Sequence, residues 1–178
     1  MDIKLFHKEK KNNILKSEGA VLYIDRNKRK ATGYYYIKKF SDSGKNDINK
    51  YPVKLRKNNL VPTKKDINEN VCNKIKKIKF MVQYSNIKSD IHNKKGKYYY
   101  NYNLPKFIGS YKVTNNDDII KKIKKIYNVP YNKATINITG RNKPSFSTKG
   151  DKEIEIIFKK NEYFFRDSVD FQPTKESY

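Results

Sequence analysis

Cysteine is nearly absent: Cys72 stands alone, so the chain has no disulfide framework and no thiolate cluster for zinc. Tryptophan is missing, and only seven glycines leave no phosphate-cradling loop of the GxGxxG or Walker kind. No apolar run approaches the roughly 18 residues of a membrane span, and the opening MDIKLFHKEKKNN lacks the apolar core of a signal peptide. These absences predict a soluble, unprocessed protein of the cytoplasm or a virion, with no membrane partner. With the leader gone, the sequon at Asn137 is discounted as well.

Acids are the other shortage. Eighteen of them face 41 lysines and arginines, a formal +23 over 178 residues. A compact chain so charged repels itself unless something negative compensates it. Lys, Asn, Ile and Tyr share A/T-rich codons, so genome bias inflates lysine; the same bias also supplies Asp and Glu, and it does not account for their shortage. The excess therefore points to a polyanionic partner. Hydrophobic residues make up 36% and charged residues 33%, which predicts a modest core under a heavily solvated surface. The length suits one domain over 1–167, followed by a flexible tail over 168–178 with Pro173.

Residues 19–40 read as two β-rich runs around a basic connector, a hairpin in which Gly33 hints at a bulge. A further strand is expected over Tyr51–Arg56. Thr63 with Asp66 resembles a capping box, and Ile67, Val71, Ile75 and Ile78 recur at helical spacing, predicting a helix over 64–78. Phe80–Tyr84 should continue as a strand and Ser85–Lys97 as a loop. Tyr98–Tyr102 and Phe107–Val113 make two more β-like runs. Thr114–Asp118 supplies a cap for a second helix striped by Ile119, Ile120, Ile123 and Ile126, ended near Pro130. Ala134–Ile138 alternates as a strand, and Glu153–Phe158 with Glu162–Phe165 reads as a tight hairpin. A weak echo between 34–84 and 98–138 is compatible with a duplication. The fold class expected is α+β: a mainly antiparallel sheet with two short basic amphipathic helices.

Both helices carry lysines opposite their isoleucines: Lys74, Lys76 and Lys77 on the first, Lys121, Lys122, Lys124 and Lys125 on the second. Such faces neutralise phosphates, although late-helix lysines also offset the helix dipole. Their apolar stripes are narrow and aliphatic, unsuited to lying on a membrane. Aromatic residues interleave with cations twice more. Lys28, Arg29 and Lys30 precede Tyr34, Tyr35 and Tyr36, and Lys95 and Lys97 precede Tyr98, Tyr99, Tyr100 and Tyr102. On strands, Tyr34 and Tyr36 share a face, as do Tyr98 and Tyr100, and rings so placed can stack on unpaired bases.

Gly33-Tyr-Tyr-Tyr-Ile37 loosely resembles the basic-glycine-aromatic signature of RRM and cold-shock sheets, with Tyr35 where a small residue is usual. Tyr111–Asn137 is similar in outline to a LysM carbohydrate-binding module, with Asn116-Asp117 in place of its glycine-aspartate turn. The first resemblance implies single-strand binding, the second a cell-wall or phage-tail component.

Catalysis finds little footing. His7 and His92 have no apolar setting or metal-ligand spacing. Asp151, Glu153 and Glu155 alternate along one strand and could hold a divalent ion for a nuclease, but the companion lysine is missing. The sequence alone thus predicts a non-enzymatic nucleic-acid-binding protein of a ribonucleoprotein or virion, without cofactor or metal. The alternative is a structural protein module of a viral particle or phage tail docking on acidic subunits.

Overall fold

The structure, a computed structural model, describes residues 2–11, 14–41, 46–81, 86–141 and 150–171. Five strands come first: β1 (Asp2–Lys11), β2 (Ile14–Asp25), β3 (Lys30–Ser41), β4 (Asn46–Arg56) and β5 (Asn59–Pro62). Two helices follow, α1 (Glu69–Lys77) and α2 (Ile87–Ile91), then strands β6 (Gly96–Asn101) and β7 (Lys106–Thr114). Helix α3 (Asp118–Ile126) leads to β8 (Lys133–Arg141), β9 (Gly150–Lys159) and β10 (Tyr163–Phe171).

All ten strands join one antiparallel sheet in the order β5-β4-β3-β2-β1-β10-β9-β8-β7-β6. It is two meanders, one from each half of the chain, sutured at the centre by the first and last strands: Asp2 faces Asp170 and Glu9 faces Tyr163.

The fold is therefore mainly β, not the α+β class expected with two basic helices. The largest departure is β1. Charged residues at alternate positions thinned its apolar signal, yet Ile3 and Leu5 keep the two-residue period of a strand. Helix α1 is also shorter than the 64–78 expected. Thr63 does not cap it; its backbone N–H and hydroxyl turn to the Pro52 carbonyl at 3.0 and 3.2 Å. Asn68 caps instead, accepting from the Asn70 N–H at 2.9 Å. Residues 87–91, read as loop, form a single turn of helix capped by Asn86. Phe80 and Met81 are not strand, and 82–85 lie outside the described residues. Strand β10 runs to Phe171, and the rest of the expected tail lies outside them too.

The hairpins are set by local chemistry. The Asp25 carboxylate accepts from the Asn27 and Lys28 N–H groups, both at 3.0 Å, and Arg29 takes a left-handed φ of 49°. Asn161, at φ 62°, closes β9 on β10. Gly33 makes no bulge, since its register with Leu22 and Val53 is unbroken. Its small size serves approach instead: a Cβ there would lie 1.8 Å from the Val21 carbonyl oxygen.

Both longer helices pack on one face of the sheet and divide the core in two. Ile75 of α1 with Ile78 and Phe80 covers Ala20, Leu22, Tyr35, Val53 and Leu60. Ile119, Ile120 and Ile123 of α3 cover Val113, Ala134, Ile136, Ile156 and Phe165. Their isoleucine spacing turns the apolar side inward and sends the intervening lysines outward. Among the described residues the other face of the sheet carries no helix.

Candidate functional site

Between the two helices lies a cleft of about 310 Å³, open to solvent above the centre of the sheet. One wall is the last turn of α1, with Lys74, Lys77 and Ile78; the other is the end of α3, with Ile126, Tyr127 and Asn128. Glu18 of β2 and Tyr163 of β10 form the floor. The cleft exists because each meander brings its own helix and the two stop short of each other over the β1–β10 suture.

Polar groups hidden in an apolar core need partners, and the floor provides several. The Glu18 carboxylate accepts from the Tyr35 hydroxyl at 3.3 Å and pairs with the Lys16 ammonium at 3.2 Å. Burial, reinforced by Glu18, raises the Tyr35 hydroxyl far above its ordinary range, so it stays protonated as a donor. Tyr127 is raised for the same first reason, with Asp167 and Glu18 adding to it.

Asp167 of β10 is buried, at 4% exposure, and accepts a hydrogen bond from the Met81 N–H. Its Oδ1 has no hydrogen-bond partner among the described residues. Burial pushes its carboxyl up to about 7, and the Met81 N–H only partly offsets that. No sequence pattern marked Asp167 or Glu18, because each became special only when β1 brought the two half-cores together.

The sequence-selected residues divide among four places. Lys74, Lys76, Lys77, Lys121, Lys122, Lys124 and Lys125 all belong to the helix layer. Lys124 is tied down, donating to Asn115 and Asn132 at 3.1 and 3.0 Å, and Lys121 faces Asp118 at 3.5 Å. Lys74, Lys76, Lys77, Lys122 and Lys125 are exposed and form no ion pair among the described residues. Lys28, Arg29 and Lys30 sit at one end of the sheet, at the β2–β3 turn.

Tyr34 and Tyr36 lie on the helix-free face, 6.2 Å apart between ring centres, with Lys50 over the first and Lys38 over the second. Tyr36 is largely buried and its hydroxyl is pushed up to about 12 by that burial. Tyr98 and Tyr100 lie on β6, the far edge. Seven strand spacings, roughly 34 Å, separate β3 from β6, so the two tyrosine groups make no common stacking platform.

The acids once considered for metal are engaged with arginine. Arg166 reaches Glu155 at 2.6 Å and Glu153 at 3.6 Å, and Arg141 reaches Asp151 at 3.1 Å. No group of three His, Cys, Asp or Glu side chains among the described residues could hold a metal ion. His92 is exposed beyond α2; the side chain of His7 lies outside the described burial.

Comparison with known proteins decides the family: the profile of the Csa1 family matches residues 3–174, nearly the whole chain. The chain belongs to the Csa1 family. An uncharacterised Staphylococcus haemolyticus protein is 36% identical over 176 residues, covering 94% of this chain and 97% of its own length. An uncharacterised lipoprotein of Staphylococcus epidermidis is also 36% identical, over 94% of this chain and 70% of its own. One of Staphylococcus aureus is 35% identical, over 93% of this chain and 66% of its own.

Csa1 membership corrects the functional expectation. None of these relatives is named as nucleic-acid-binding, ribonucleoprotein, viral or phage-tail, so both the leading reading and its structural-module alternative fall. The cytoplasmic or virion location falls with them, because several Csa1 relatives are named lipoproteins, a class held at a membrane by its lipid. The RRM-like and LysM-like segments are stretches of this one family's sheet, within β3 and across β7–α3–β8.

Proposed function

We propose that this Csa1 protein is a non-enzymatic binding domain, held at the outer side of a membrane by a lipid as a lipoprotein, the class for which several relatives are named, whose helix layer grips a phosphate-bearing polyanion. The observation that carries this reading is the charge left over on that layer. Nearby acids are spent on particular partners: Asp117 on Lys94 at 2.6 Å, Asp118 on Lys121, Glu18 on Lys16. Lys74 and Lys77 line the cleft and remain exposed, as do Lys76 on α1 and Lys122 and Lys125 on α3, the helix that forms the other wall.

An anionic chain laid across the cleft meets lysines from both helices at once, a multivalent contact in which each weak ion pair adds to the next. The Asp167 carboxyl beneath, raised toward neutrality, subtracts less from that positive field than an ordinary aspartate. In this reading the carboxylate on the cleft floor, Glu18, serves structure, accepting from Tyr35 and pairing with Lys16.

Fluorescence anisotropy with labelled inorganic polyphosphate, run across a salt series, tests the reading. Binding should weaken steeply as salt screens the lysines. Replacing Lys74, Lys77, Lys122 and Lys125 together by glutamine should lower affinity at least tenfold while the circular dichroism stays unchanged. Absence of binding at low salt, or binding indifferent to both salt and the four substitutions, would discard the proposal.

A further inference from the structure

Exposed large hydrophobic side chains concentrate in one place. Tyr98, Tyr99, Tyr102 and Leu104, exposed by 60, 59, 86 and 69%, all belong to the β6–β7 hairpin. The tip is built to hold them out: the Asn101 carboxamide accepts from the Asn103 and Leu104 N–H groups at 3.0 and 3.2 Å, and Tyr100 meets Tyr102 edge-on at 4.8 Å. Between Ile91 and Asn116 the chain has no acid, while Lys97 and Lys106 flank the rings. Tyrosine beside lysine, one amphipathic and the other able to extend its ammonium from an apolar stem, is the pairing found where a protein meets the headgroup layer of a bilayer.

The topology adds a second, independent observation. The β6–β7 tip lies at the same end of the sheet as the β2–β3 and β4–β5 turns, because Lys106 pairs with Arg141, Gly150 with Phe171, Asp170 with Asp2 and Asp2 with Tyr23. Those turns carry exposed Arg26, Lys28 and Arg29, and Arg56 and Lys57. Of the turn acids only Asp25 intervenes, and it is occupied with its own turn and with Lys28 at 3.9 Å. This end of the sheet thus presents two basic turns toward one side and the aromatic tip at the other, with Asp2, Asp170 and Asp151 on the strand ends between them, Asp151 paired with Arg141 at 3.1 Å.

We propose that this end docks on an anionic bilayer, with the β6–β7 tip entering the headgroup region and the basic turns resting on its surface. This rests on the membrane-proximal reading above but uses none of the helix-layer lysines. Tyr98 stands three residues from Asn101, roughly 10 Å along a strand, so Tyr102 and Leu104 enter first and Tyr98 and Tyr99 reach the rim. That depth matches the 5–10 Å at which interfacial segments sit. A second copy pairing along the free β6 edge is the competing occupant. It is disfavoured because Tyr102 and Leu104 lie beyond the last strand pair, Asn101–Lys106, where pairing along the β6 edge would leave them uncovered.

The chain has no tryptophan, so Tyr102→Trp gives a single emission reporter at the tip. On vesicles containing phosphatidylglycerol, its emission should shift to the blue and be quenched by brominated acyl chains; pure phosphatidylcholine should leave it unchanged. In the otherwise unaltered chain, Tyr98→Ser with Tyr99→Ser and Leu104→Ser should cut vesicle co-sedimentation at least tenfold, with thermal unfolding and polyphosphate binding intact. Unshifted emission on bound protein, or undiminished binding by the triple variant, overturns the proposal. So does a lipid-free dimer, seen by analytical ultracentrifugation, that Tyr98→Ser and Tyr99→Ser abolish. If the helix-lysine variant loses polyphosphate while the reporter still responds to lipid, only the cleft reading fails.

Discussion

Asp167 and Gly33 show how much one position can decide. A carboxyl held above its unfolded value of about 3.9 favours the folded state only while protonated. Asp167, raised to about 7, therefore leaves stability intact below about pH 4 and erodes it as pH climbs toward 7, with no further change above. Asp167→Asn keeps an acceptor for the Met81 N–H and removes the charge. Its unfolding temperature should exceed the parent's at pH 8 and lose that advantage at pH 4; an equal difference at both would refute the assignment. At Gly33 an added methyl would press on the Val21 backbone and force β2 from β3, so Gly33→Ala should cost about 3 kcal/mol or more in urea unfolding. Neither residue announced its role. Asp167 fell between the run expected to end as a strand at Phe165 and the tail expected from Ser168, and the glycine was visible but its reason, strand approach and not a bulge, was not.

At the scale of elements, α3 was legible and α1 only partly so. Four isoleucines at helical spacing after Thr114–Asp118 located α3 well, but the N-cap Asp117 makes no side-chain cap hydrogen bond: its carboxylate turns back to accept from the Thr114 N–H at 2.7 Å. Burial opposes ionisation of Asp117, but the Lys94 ammonium and the Thr114 N–H hold its carboxyl below the usual range. Helix α1 began late because Thr63 found a better partner in the neighbouring strand, something no local pattern records. Helix α1 buries a single side chain, Ile75, where α3 buries three isoleucines, so Ile75→Ala should destabilise by about 2–4 kcal/mol, measured by chemical denaturation. A loss under about 1 kcal/mol would mean that α1 is not anchored through that side chain. Hairpins β2–β3 and β9–β10 were readable from turn chemistry; β1 was not, since its pairing partner lies at the other end of the chain.

For the molecule as a whole, the composition revealed the charge but not its arrangement. The +23 spreads over a helix layer, a cationic sheet end and a helix-free face, and sequence order cannot show that two tyrosine groups lie at distant strands. Self-repulsion of this size predicts that the parent's unfolding temperature rises between about 10 mM and 150 mM salt, as the Debye length falls from roughly 30 to 8 Å. Scanning calorimetry would read it, and a flat or falling trend would mean that the charges are already neutralised within the fold.

The seam between β1 and β10 governs the order of assembly. Either meander can form from neighbours in sequence, but the ladder from Asp2–Asp170 to Glu9–Tyr163 demands closing nearly the entire chain, a loop whose entropy must be met before any of its hydrogen bonds repay it. A ribosome releases β1 first and β10 last. For most of its synthesis the polypeptide therefore holds a bare strand where its middle will be, and the two halves become one body only after the final strand has emerged.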